Sequence, residues 1–247
     1  MLRKLMKYDF LAMSKQLFPI YIAMFVMTAI FSLMVKLNFN NGLVFGLCTA
    51  LYVAAIFASI FGTMRCVIVR FNSGLLNDEG YLSFSLPVKT STHIIAKVLN
   101  AIVWSIMEGL ALFIMGLIAS LIVGSIQEVA EFFYELFSLL RIENMDLIIS
   151  VLRVLVIIVL NLISSICLVY LAISIGHLVG KHRLIVAIAA IVAITVIRSN
   201  ILVLFVRVDN IVVSNQGWMV LHIFSIISIA LYSIGTWYIL DRHLNLG

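Results

Sequence analysis

The stretch LIISVLRVLVIIVLNLISSICLVYLAISIGHLV, residues 147–179, carries a single formal charge, Arg153, along its whole length. A helix needs roughly 20 apolar residues to cross the hydrocarbon core of a bilayer, within a range of about 17–25. This run is too long for one straight crossing, so it must tilt or project from the membrane. Five further runs have the same character, at 18–35, 43–64, 98–123, 184–206 and 218–240. Of the 247 residues, 64% are hydrophobic and 11% are charged, whereas a soluble domain carries about 45–50% and about 25%. A mean hydropathy of +1.22 agrees. These figures exclude a water-soluble enzyme, and two prolines among 247 residues argue against a disordered chain. The expected fold is an all-α integral membrane protein with six transmembrane helices in one domain, residues 1–247.

The basic residues set an orientation. With the N-terminus inside, Arg3, Lys4, Lys7, Lys15, Arg65, Arg70, Lys89, Lys97, Lys181, Arg183 and Arg242 fall on the cytoplasmic side. Only Lys36, Arg141 and Arg207 fall outside, while Arg153 and Arg198 lie within spans. Positive residues are retained on the cytoplasmic side, so both termini are expected there. Residues 2–17 are basic and read as an interfacial helix leading into a retained first span, since no small-x-small cleavage site follows. Cys48, Cys66 and Cys167 form no CxxC pair and lie in or beside apolar runs, so they read as small apolar residues.

Two connections are long. The external one, 124–146, opens with Ser125-x-x-Glu128, a capping-box pattern. Val129, Phe132, Phe133, Leu136 and Leu140 then recur at helical spacing, with Glu128, Glu131 and Glu135 on another face. This predicts an amphipathic helix over 125–141 at the outer membrane surface, serving either as a packing lid or as a gate for substrate. The cytoplasmic connection, 65–97, reads RCVIVRFNSGLLNDEGYLSFSLPVKTSTHIIAK. It holds Asp78-Glu79-Gly80, then Tyr81, then Leu86-Pro87-Val88, and Ile95-Ala96-Lys97 at the start of the next span. Pro87 ends any helix before it, so a short amphipathic helix closed by Gly and Pro is expected at the inner face.

This loop resembles that of the permease subunits of bacterial type-2 ABC exporters. Members of that family have six spans, cytoplasmic termini, an interfacial N-terminal helix and an acidic-Gly, Leu-Pro-Val-like first cytoplasmic loop. The topology covers the whole chain and the motif about twenty residues. The resemblance implies that 65–97 is a coupling loop, with Asp78, Glu79, Gly80, Tyr81, Leu86 and Pro87 contacting an ATPase. It also implies two ATPase copies, a second permease (identical or sibling), and a bacterial plasma membrane location. Peptide export or self-immunity is the role such small permeases often have. No cofactor is expected on this chain itself, with ATP and magnesium bound by the ATPase. The nearest thing to a phosphate-binding loop is GHLVGKH at 176–182. There Ile175 stands where Gly is required and His182 replaces Ser/Thr, so it is no nucleotide site and the chain is not expected to be an enzyme.

Inside the spans, Glu108 lies near mid-membrane, Arg198 is well inside span five, and Arg153 is near the outer end of span four. A charge at the centre of a spanning helix costs about 2.5–3.5 kcal/mol on insertion scales, so partners are expected. Glu108 is expected to pair with Arg198 or Arg153, either as an ion pair fixing helix register or in the substrate path; alternatively Arg198 marks an earlier end of span five. Gly42, Gly46, Ala50, Ala54, Ala58 and Gly62 recur at every fourth residue, a small-xxx-small stripe that lets helices approach closely. It is expected to pack against a neighbouring helix, within the chain or across a dimer. The histidines show no metal-ligand spacing, so no metal site is expected, nor any nucleic-acid partner. The expected function is a permease moving a hydrophobic or amphipathic cargo (antimicrobial peptide, drug or lipid). The alternatives are a non-transporting sensor or scaffold, and a proton-coupled secondary transporter using Glu108.

Overall fold

In a computed structural model of the chain, residues 2–39, 41–76, 88–124, 126–139, 145–179, 182–209 and 215–242 are described. Seven helices cover them: α1 Leu2–Lys36, α2 Gly42–Leu75, α3 Thr90–Val123, α4 Ile126–Leu139, α5 Met145–Leu178, α6 Arg183–Asp209 and α7 Asn215–Arg242. No strand occurs among the described residues. Six of the helices, all but α4, contain segments long and apolar enough to cross a membrane. Hydrocarbon offers no water to backbone N–H and C=O groups, and helices satisfy those groups internally.

The helices outrun the apolar segments that announce them. α2 continues through Arg65 and Arg70 to Leu75, and α3 begins at Thr90, before the apolar run from 98. At 1.5 Å per residue, each 34-residue helix is about 50 Å long, against a hydrocarbon core of about 30 Å. The projection expected of residues 147–179 alone is therefore shared by α1, α2, α3 and α5. The stretch expected as an interfacial helix, 2–17, runs without a break into the first span as α1. Pro19 lies inside it, lacking the N–H that would bond the carbonyl of Lys15.

Polar side chains in the spans mostly satisfy themselves. Thr28, Ser32, Thr49, Ser174, Ser228 and Thr236 each donate to the carbonyl four residues back, at 2.7–2.9 Å. Such back-bonding hides a hydroxyl from hydrocarbon without needing a second helix. The helix ends are also closed. Asn38 takes a left-handed φ of 48°, and Phe39 N–H donates to Met34 O at 3.2 Å, the pattern of a Schellman stop. Lys36, His177 and Arg242 occupy last turns, where the helix dipole favours positive charge.

Two compact units divide the chain. One, the carboxylate unit, holds Met6–Val67 and Val103–Ile149. Its core joins Met13, Leu17, Cys66 and Trp104, with Met24, Ala111 and Met115 forming a second cluster. α4 belongs to it, with Glu131 and Glu135 exposed and Val129 and Phe133 half-buried. The other, the loop unit, holds Met1–Leu5, Ile68–Ile102 and Ser150–Gly247. Its core joins Cys167, Leu168 and Tyr232, with Leu171, Ile191 and Ile229 packed against them. α6 has no fully buried residue in its apolar window, but Ile191 and Ile194 mark the side that packs on this core.

Most of the small-residue stripe does not pack within the chain. Gly42, Gly46, Ala50, Ala54 and Ala58 are exposed, and only Gly62 is closely approached, by Ile20. The face of α2 packed within the chain carries Ser59, Thr63 and Cys66 instead. Hydroxyls that serve a buried carboxylate fix the rotation of α2, and polar satisfaction outweighs close packing of small residues.

Glycine is required elsewhere. A Cβ on Gly176 would lie 2.4 Å from the backbone oxygen of Arg183, whereas one on Gly46 meets nothing within 4 Å. Gly176→Ala is expected to cost roughly 1–3 kcal/mol through forced backbone movement, and Gly46→Ala to leave thermal stability unchanged. Unfolding of the two variants in detergent measures the difference.

Candidate functional site

Two constellations of side chains stand out, one in each unit. The first surrounds Glu108 on α3, which is 7% exposed. Ser59 and Thr63 lie one turn apart on α2 and point the same way, as residues i and i+4 do. Ser59 Oγ lies 2.8 Å from Glu108 Oε1, and Thr63 Oγ1 donates to Oε2 at 2.8 Å. Tyr21 on α1 places its phenol oxygen 3.3 Å from Thr63 Oγ1. Three helices therefore meet at one carboxyl group. Below it, Trp104, one turn earlier on α3, stacks on Phe10 with ring centroids 4.9 Å apart. Its buried Nε1 has no hydrogen-bond partner among the described residues.

The carboxyl group expected to pair with Arg198 or Arg153 is thus met by hydroxyls. Arg198 has its own partners: Nη2 donates to Asn161 Oδ1 at 2.6 Å, and the guanidinium lies 5.9 Å from the centre of the Phe224 ring. An amide oxygen and an aromatic face are ordinary means of holding an arginine within a span. Arg153, on α5, also has interactions of its own.

The second constellation forms the roots of the cytoplasmic connection in the loop unit. Phe71, near the end of α2, is fully buried and stacks on Tyr170 of α5, with centroids 4.0 Å apart and planes 9° from parallel. The Tyr170 hydroxyl donates to the backbone oxygen of Lys97 on α3 at 3.2 Å, so one side chain holds both roots. Asn72 Oδ1 lies 2.7 Å from His177 Nε2. Gly74 leaves room for the Lys97 amine, which lies 2.6 Å from where a Cβ would begin. At the start of α3, Thr90 Oγ1 donates to Asp241 on α7 at 3.2 Å. A cleft of about 480 Å³ opens there, lined by Val88, Lys89, Thr90, Ser91, Trp237 and Asp241.

Asp78, Glu79, Gly80, Tyr81, Leu86 and Pro87 lie outside the described residues, as does Ser125. What is described is the mount that carries the loop. No family model, curated protein or solved structure matches the chain. The functional reading therefore rests on these residues and their chemistry.

Sequence reading singled out Glu108 but missed Ser59, Thr63 and Tyr21 around it. The i, i+4 hydroxyls in an apolar span were a usable signal, one residue out of step with the small-residue stripe that drew attention first. Phe71, Tyr170 and Asp241 carried no signal, because each acts through a partner far away in sequence.

The hydroxyl shell makes a measurable claim. Thr63→Val strands a carboxyl oxygen and is expected to lower the melting temperature, but to have little effect in a Glu108→Met background. The coupling in this double-mutant cycle should reach about 0.6 kcal/mol or more, the scale of hydrogen bonds between membrane helices. Arg198→Met should show no such dependence on Glu108.

Proposed function

We propose that the chain is the membrane-spanning permease subunit of an ATP-driven exporter of the type-2 ABC class. The observation that carries this reading is the rooting of the α2–α3 connection. Its acidic-Gly and Leu-Pro-Val motifs, at 78–80 and 86–88, lie in sequence between two helix ends that both meet Tyr170 of α5, the start of α3 also bonding Asp241 of α7. A loop built to transmit force from a partner needs stiff roots, and the buried Phe71–Tyr170 stack with the hydrogen bonds around it supports this reading.

In this reading both termini and the loop face the cytoplasm, as the basic residues demand, and α4 lies at the outer surface of a bacterial plasma membrane. Two ATPase subunits seat against Asp78, Glu79, Gly80, Tyr81, Leu86 and Pro87. ATP and magnesium are theirs, and closure of the ATPases pushes the loop. The connected helices then move with it, and a path between two permeases opens to alternate sides. The exposed small-residue stripe of α2 is the face assigned to the second permease. The cargo is hydrophobic or amphipathic, in keeping with the apolar bundle and the amphipathic α4.

Co-expression with candidate ATPase subunits tests this directly. A stable complex is expected to co-purify, and Glu79→Ala or Leu86→Ala should cut its yield several-fold without altering the permease's own melting temperature. Failure of every ATPase to associate, or indifference to both substitutions, would remove the exporter reading.

A further inference from the structure

The hydrogen-bond count at Glu108 does not close with the hydroxyl protons alone. Ser59 Oγ lies 2.8 Å from Glu108 Oε1 and also 2.8 Å from the backbone oxygen of Ile56. A serine hydroxyl has one proton, so it gives a full hydrogen bond to only one of them. Thr63 spends its single proton on Glu108 Oε2, and Tyr21 can supply its own to Thr63 Oγ1. The chain from Tyr21 to Thr63 to Glu108 is complete in that direction. From Glu108 onward, one hydrogen is missing between Oε1 and Ser59 Oγ.

Charge points to the same place. Among the described residues, the oxygens of Glu108 meet hydroxyls and no cation. Among the described residues, Tyr21 on α1 bonds into this cluster through Thr63, and Cys66 on α2 donates its thiol proton to Gln16. Arg65, beside Cys66 in sequence, is exposed. A negative charge buried in an apolar span needs a counter-ion or a proton.

We propose that Glu108, Ser59, Thr63 and Tyr21 form a proton-binding site within the membrane, the proton lying on Oε1 and donated to Ser59 Oγ. Ser59 then donates to Ile56 O, and every contact within 2.8 Å is used once. When the proton leaves, Ser59 turns its hydrogen to the carboxylate and releases Ile56 O, which keeps its helical bond. Loading and release thus switch one hydroxyl between α2 and α3 and change the charge at the junction of three helices. This site does not depend on what drives transport.

Infrared spectroscopy of the protein in lipid vesicles tests it, on samples with carbon-13 at the glutamate carboxyls. At about pH 7.5, exposed glutamates are ionised, their ordinary value being about 4.3. A carboxylic-acid carbonyl band that moves with the label is expected in the wild type, insensitive to sodium concentration. It should vanish in Glu108→Gln and shift in Ser59→Ala. The label assigns the wild-type band to a glutamate, its loss in Glu108→Gln assigns it to Glu108, and a labelled band that persists in a folded Glu108→Gln protein would overturn the proposal. Its absence from the wild type, with labelled intensity only in the carboxylate bands, would also overturn it. So would a band that appears only when sodium is removed, which would make the site's occupant a metal cation.

Discussion

A carboxyl group buried in an apolar span governs how α1, α2 and α3 meet. Glu108 demands hydrogen-bond partners inside an apolar span, and the partners available are hydroxyls on α2, with a phenol on α1 behind them. Meeting that demand turns Ser59 and Thr63 inward and leaves most of the small-residue stripe outward. The rotation of α2 is thereby set by polar chemistry, while the aliphatic residues around it serve equally well against protein or lipid. Elsewhere the spans avoid such demands, since their serines and threonines bond back to their own helices.

The loop unit solves a different problem. The helix ends on either side of residues 77–87 are tied to other helices of the unit. Tyr170 does this with two surfaces, its ring against Phe71 and its hydroxyl on the Lys97 carbonyl. Thr90 and Asp241 tie the start of α3 to α7. In the proposed permease, such ties would pass a push on the loop to whole helices.

Hydropathy alone made six helices legible, because a run of twenty apolar residues has few other homes. Their ends were harder to read. Helix continues past 64 through Arg65 and Arg70, since charged residues outside the hydrocarbon do not stop a helix that still has a packed face, here Cys66, Phe71 and Leu75. Glu108 was legible as a buried charge, but its partners were not. Charge pairing suggested the arginines, whereas distance in sequence hides that Ser59 and Thr63 sit 49 and 45 residues away yet within reach. Arg198 likewise finds an amide 37 residues away.

The central claim is that six helices cross the membrane and carry the α2–α3 connection on the cytoplasmic side, with α4 on the other. Single cysteines at Asp78 and Tyr134, in a background without Cys48, Cys66 and Cys167, can be labelled with a membrane-impermeant maleimide in intact cells and in inverted vesicles. The account predicts that Tyr134→Cys reacts only in intact cells and Asp78→Cys only in inverted vesicles. Reaction of both from the same side would contradict it, because α3 alone separates the loop from α4.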